Sequence, residues 1–190
     1  MIFNLHTTDE GELYLFLIFY KGVICNLYYV DFSLTNGLSK PSISIYYSGC
    51  DIPTKCKDCH NPELWKKQKE ALTYEEIYKK VKWYKDFQKE KLRVSFLGGE
   101  PLASYNVDSV IEISKRLKED FSNIELILYS WRKPELIEEE WVKYFDYGVL
   151  GEFKMDSLQE GFLPASKNQI IYDFKNKEAL PPIKLKGDKK

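Results

Sequence analysis

Apolar positions recur along this chain with two different periods, and the changes from one to the other mark its elements. Two runs rich in aromatic and branched residues, within residues 13–30, flank Lys21-Gly22. A two-residue connection of that kind closes a tight hairpin, so an N-terminal β-hairpin is expected. Residues 34–40 are turn-rich, and residues 41–48 then place Ile43, Ile45 and Tyr47 on one face of a strand. Thr73 and Glu76 form a capping box ahead of Tyr74, Ile77, Val81 and Tyr84 at helical spacing, which predicts a helix over residues 73–89. The alternation repeats with a strand at residues 92–97, a helix carrying Val107, Val110, Ile111 and Leu117, and a strand at residues 124–129. Pro134 is read as opening a third helix with Leu136, Ile137 and Trp141, followed by a fourth strand within residues 147–153.

Strands alternating with helical segments imply parallel pairing through right-handed crossovers, hence an α/β fold. Three regions are expected: a hairpin extension over residues 1–32, one α/β domain over residues 33–175, and a flexible basic tail over residues 176–190, where four lysines follow Pro181-Pro182. Ligands of parallel sheets bind beyond the carboxyl ends of the strands. Four segments should therefore meet: the cysteine loop after the first strand, Gly98-Gly99-Glu100-Pro101 after the second, Ser130-Trp131-Arg132 after the third, and residues 152–154 after the fourth.

Composition narrows the function. With 190 residues and a net charge of −1, the chain has the size of one domain and lacks the basic excess of a nucleic-acid binder. Its longest strongly apolar run, residues 13–20, is far short of the roughly 20 residues of a membrane span. The first residues are acidic and end in no small-residue cleavage site, so no export signal is read and a cytoplasmic location is expected.

Four cysteines are too few for a disulfide scaffold, and three of them, Cys50, Cys56 and Cys59, fall within ten residues. Cys25, alone in an apolar stretch, reads as a buried small hydrophobe. The cluster with His60 suits several chemistries. A zinc site could take the three thiolates with a fourth ligand from elsewhere, although adjacent Cys59 and His60 are poorly placed to share one ion. Cys56-Lys57-Asp58-Cys59-His60 matches the attachment pattern of covalent haem, and a redox dithiol is a further reading, but both leave Cys50 without a role. Three thiolates can also hold three irons of a four-iron cluster, leaving one iron open to a small molecule.

The cysteine loop running into His60-Asn61-Pro62-Glu63-Leu64-Trp65, together with Gly98-Gly99-Glu100-Pro101, resembles the radical S-adenosylmethionine enzymes, and more narrowly the activating proteins of anaerobic ribonucleotide reductase. Thr35-Asn36-Gly37, Ser48-Gly49-Cys50, Tyr129-Ser130-Trp131 and Ser166-Lys167-Asn168-Gln169 follow in the same order, so the likeness spans roughly residues 32–172. It departs in having five residues between Cys50 and Cys56 where the family has three, and Asp58 where an aromatic residue is common. The resemblance implies a partial (βα) barrel of parallel strands. It implies a [4Fe-4S] cluster on Cys50, Cys56 and Cys59, with S-adenosylmethionine chelating the open iron. Gly98 and Gly99 would allow close backbone approach to the methionine moiety, Glu100 would accept from the amino group, and Pro101 would complete the cofactor-binding stretch, with Asn61 and Ser130 also counted among the cofactor-binding residues. Asn61 and Trp65 would shape the loop beyond the cluster, Ser130 would reach the ribose, and Arg132 or Lys154 would face the carboxylate. His60 is a pocket residue, and no catalytic residue is assigned. The implied partners are the large catalytic subunit of the reductase, whose glycine would receive the radical, and an electron donor such as flavodoxin or ferredoxin. Activation of another glycyl radical enzyme, small-molecule radical chemistry and a non-catalytic zinc module are the alternatives.

Overall fold

The computed structural model describes residues 27–68, 72–87 and 91–185. Strand β1 (Leu27–Ser33) runs antiparallel to β2 (Ser42–Tyr47). β2, β3 (Leu92–Gly98), β4 (Ile124–Ser130) and β5 (Tyr147–Leu150) follow as four parallel neighbours. After the two-residue strand β6 (Phe162–Leu163), β7 (Ile170–Asp173) and β8 (Glu178–Leu180) extend the sheet antiparallel beside β5, and β9 (Ile183–Lys184) pairs with β6. The main sheet is thus ordered β1-β2-β3-β4-β5-β7-β8, an α/β arrangement with a parallel centre and antiparallel margins.

Helices α1 (Tyr74–Phe87) and α2 (Val107–Asp120) connect the parallel strands. The capping box forms, with the Thr73 N–H donating to Glu76 Oε2 at 2.7 Å. Both helices lay their apolar stripes on one sheet face. Ile77, Val81 and Tyr84 of α1 and Val110, Ile113 and Leu117 of α2 share a core with Ile43, Ile45, Val94, Phe96, Leu126 and Leu128. The parallel register explains why these strand residues coincide: Val94 lies beside Ile43 and Leu126, and Phe96 beside Ile45 and Leu128.

On the opposite face the same register aligns Ser44 with Ser95 and Ile127, and, one step nearer the carboxyl edge, Tyr46 with Leu97, Tyr129 and Val149. The 34–40 loop folds against this face. The Asn36 carbonyl accepts from Ser95 Oγ at 2.8 Å and Tyr129 Oη at 2.9 Å, while its amide nitrogen donates to Ser44 Oγ at 3.0 Å and Tyr46 Oη at 3.3 Å. A polar patch within the sheet is satisfied in this way rather than left bare.

Three elements differ from the sequence expectation. The third helix is reduced to a 3-10 turn (Pro134–Leu136) and one α-turn, α3 (Glu139–Val142). Ile137 and Glu138 are extended between them, and Leu136 is 54% exposed, so the apolar residues of this segment make no continuous buried stripe. The fourth strand stops at Leu150, because Gly151 takes φ +111°. The chain after residue 175, read as a basic tail, supplies β8 and β9 through Lys184, with Lys177 at φ +56° leading into β8. Of the expected N-terminal hairpin, the first arm, the Lys21-Gly22 turn and Cys25 lie outside the described residues; the end of the second arm is part of β1.

Candidate metal centre

At the carboxyl edge of the parallel strands a cavity of about 310 Å³ opens. Its walls include Cys50, Cys56, Cys59, His60, Asn61 and Trp65 from the loop after β2, Gly98 and Gly99 at the end of β3, Ser130 and Trp131 at the end of β4, and Gly151 and Phe153 after β5. The row Tyr46, Leu97, Tyr129 and Val149 and the side of Asn36 complete it. The four segments that the α/β topology directs to one edge therefore do meet there. Glu100 and Pro101 are not among the walls, so the direct ligand contact expected of Glu100 has no counterpart in the cavity lining.

The two loops that follow β2 and β3 are laced by their backbones. Gly99 N–H donates to Tyr47 O at 2.7 Å, Glu100 N–H to Gly49 O at 2.8 Å, Gly49 N–H to Leu64 O at 2.8 Å and Cys50 N–H to Trp65 O at 3.1 Å. The Asn106 side chain ties both loops to the start of α2 by donating to Ser48 O at 3.2 Å and Glu100 O at 2.9 Å. A Cβ at Gly98 would lie 2.5 Å from Tyr47 O, at a backbone φ of +112°. The space freed by this glycine is filled by the chain's own backbone.

Glu100 is fully buried. Its carboxylate accepts from Leu102 N–H at 2.9 Å, Ser130 Oγ at 2.8 Å and Trp131 N–H at 3.1 Å, and Arg132 Nη1 stands 3.1 Å away as an ion pair without hydrogen-bond alignment. Burial is the strongest influence on this group and pushes its pKa up to about 7, against the opposing pull of Arg132 and the three donors. Arg132, which the resemblance would set before a ligand carboxylate, is held between Glu100 and Asp51. Lys154 lies 3.6 Å from Glu152 in an exposed pair.

Sequence reasoning overlooked Asp51. An acidic residue in a loop ordinarily reads as a solvated charge, yet Asp51 Oδ1 accepts from the Trp131 indole nitrogen at 3.0 Å and Oδ2 from Arg132 Nη2 at 2.5 Å. Within the 152–154 stretch it gave no role to Phe153, whose ring lies 4.7 Å from that of His60. Ser166 and Gln169 hold each other at 3.0 Å, and Gln169 Nε2 donates to Gly151 O at 3.0 Å, so the stretch quoted from the end of the domain braces the loop after β5.

Burial raises the thiols of Cys50 and Cys56 above their ordinary range, with the Lys55 ammonium opposing this at Cys50. No three His, Cys, Asp or Glu side chains among the described residues are gathered closely enough to hold one metal ion. The three thiols are instead distributed around one cavity.

A family model described as a 4Fe-4S single cluster domain matches residues 36–172, most of the chain and the whole of the parallel sheet. The chain belongs to the 4Fe-4S single cluster domain family. The match begins at Asn36, on the cavity wall, and ends in β7, so the site just described lies entirely within the 4Fe-4S domain. Three curated proteins are similar to it over most of their length, each named anaerobic ribonucleoside-triphosphate reductase-activating protein. That of Vibrio cholerae is 25% identical over 136 residues, covering 69% of this chain and 86% of its own. Those of Haemophilus influenzae and Pasteurella multocida are each 23% identical, covering 70% and 69% of this chain and 87% and 86% of theirs. Among the described residues of this 4Fe-4S domain protein, no helix is long and apolar enough to cross a membrane.

Proposed function

We propose that the chain is an iron-sulfur radical S-adenosylmethionine activase that installs a glycyl radical on the large catalytic subunit of anaerobic ribonucleoside-triphosphate reductase. The observation that carries this is the meeting of three thiols with the Gly98-Gly99 loop and Ser130 around one cavity, in a chain of the 4Fe-4S single cluster domain family. The donors fit the group. The three cysteines among the described residues all line the cavity and match a [4Fe-4S] cluster with one iron open, and thiols spread around a space suit a cluster, whose irons each take one thiolate, better than a single zinc ion. A volume near 310 Å³ is at the lower end of small-molecule sites, roughly 300–1,000 Å³.

When bound and reduced, the cluster would supply the single electron for reductive cleavage of S-adenosylmethionine, the chemistry that would remove a hydrogen atom from a glycine Cα of the reductase. The chain's own part is placement. Cys50, Cys56 and Cys59 would hold the metal, the Gly98-Gly99 backbone and Asn61, which line the cavity, would border the ligand, and Ser130 lines the cavity while donating to Glu100. In this reading Glu100 acts from behind the wall, holding Ser130, Trp131 and Arg132 in register. The sequential strand order with α1 and α2 on one face supports the arc of a partial (βα) barrel, its inner face being the one that carries the cavity. The electron would come from a flavodoxin or ferredoxin in the cytoplasm.

The test is anaerobic reconstitution with iron and sulfide, reduction, addition of S-adenosylmethionine and quantification of 5′-deoxyadenosine, beside Cys56→Ala. Addition of the reductase large subunit should then give a glycyl radical signal by electron paramagnetic resonance. Cleavage that is absent both alone and with the reductase, or unaffected by Cys56→Ala, overturns the reading.

A further inference from the structure

Among the described residues between Cys50 and Cys56, Asp51 is the one whose side chain hydrogen-bonds to a residue at a strand end. Both of its oxygens are engaged, by the Trp131 indole at 3.0 Å and by Arg132 Nη2 at 2.5 Å, just past the end of β4. Arg132 is itself only 11% exposed at its side chain, and its other terminal nitrogen is 3.1 Å from buried Glu100. One guanidinium therefore bridges the cysteine loop to the buried carboxylate behind the sheet edge. The main chain of Cys50 is held from both sides as well, by its N–H to Trp65 O at 3.1 Å and by Lys55 Nζ donating to its carbonyl at 2.5 Å.

A five-residue spacing gives the segment from Cys50 to Cys56 more conformations than a shorter one, and multidentate metal binding is weakened by every conformation in which the thiols do not point inward. A charge-assisted, half-buried clamp directly beside Cys50 removes many of them. We propose that Asp51 is a positioning residue for the metal centre: by tying the main chain next to Cys50 to Trp131 and Arg132 it fixes where the Cys50 thiol stands on the cavity wall, and so lets the long loop retain a cluster. This rests on the iron-sulfur reading above.

The test compares wild type, Asp51→Asn and Asp51→Ala after anaerobic loading. It measures iron and sulfide per chain, the rate at which a ferrous chelator strips the iron, the resonance spectrum of the reduced cluster, and the thermal midpoint of the metal-free protein. Loss of a group that orients a metal ligand typically costs about 10- to 100-fold in metal affinity, so Asp51→Ala should release iron at least about tenfold faster and with an altered spectrum. Asp51→Asn should fall between, because its amide oxygen still accepts from Trp131 while the charge facing Arg132 is gone. The metal-free midpoint should stay within a few degrees of wild type. Equal release rates for wild type and Asp51→Ala overturn the proposal, as does a metal-free midpoint that falls in step with iron retention. Wild type that takes up no iron overturns the iron-sulfur reading itself, and the proposal with it. Should Asp51→Ala fail to fold, Trp131→Phe removes the indole donor from the sheet side, and unchanged iron release in that variant overturns the proposal.

Discussion

A methyl group placed on Gly99 would stand 2.3 Å from the carbonyl oxygen of Gly49 and 2.7 Å from that of Leu64. The loop that carries the cysteines is thus packed, backbone on backbone, against the loop after β3. Gly99→Ala should force these two loops apart, with a destabilisation of about 1–3 kcal/mol typical of overpacking. Urea unfolding should show that loss, and iron bound per chain after reconstitution should fall in parallel.

Glu100 gives a pH-dependent stability whose sign follows from its burial. The unfolded side chain has the ordinary value of 4.5, and the folded one is raised to about 7. The native state therefore holds its proton more tightly, so the stabilisation is complete below pH 4.5 and is lost as pH rises through 7, by roughly 3 kcal/mol at most. Glu100→Gln cannot titrate. The stability difference between wild type and Glu100→Gln, from urea midpoints between pH 4.5 and 8, should shift against the wild type up to about pH 7 and then level off.

Thr73→Ala removes a helix cap remote from the cavity. Thr73 Oγ1 donates to Glu76 Oε2 at 2.8 Å and accepts from Glu76 N–H at 3.4 Å at the start of α1. A cost of about 1 kcal/mol is expected in chemical unfolding, with iron content and 5′-deoxyadenosine yield per folded chain unchanged.

Asn36→Ala would leave the carbonyl contacts of Asn36 but delete its donations to Ser44 and Tyr46. Two hydroxyls would lose a donor in a half-buried setting, so a destabilisation of about 1–2 kcal/mol is expected by thermal or urea unfolding. Because Asn36 and Tyr46 both border the cavity, affinity for S-adenosylmethionine, measured by calorimetry on loaded protein, should weaken as well.

The parallel centre of the fold was legible because each strand carries branched or aromatic residues at alternate positions and because Gly98 and the capping box of Thr73 and Glu76 punctuate the elements. Its antiparallel margin was not: β7 and β8 are four and three residues long, too short for a period to register. The segment after Pro134 misled for the opposite reason, since Leu136, Ile137 and Trp141 have helical spacing while only Val142 within α3 is buried. At the site, the spacing of three cysteines and the order of the loops sufficed to place Cys50, Cys56 and Cys59 at one edge. Asp51 stayed hidden because its partners are 80 and 81 residues away, and local sequence carries no trace of such a pair.

The fold of the 34–40 loop against the sheet has a mechanical corollary. With Asn36 tied to Ser44 of β2, Ser95 of β3 and Tyr129 of β4, the part of the cavity wall it forms is stitched to three neighbouring strands. That stretch of wall cannot yield without breaking a hydrogen bond to each strand, so a ligand must fit it as it stands.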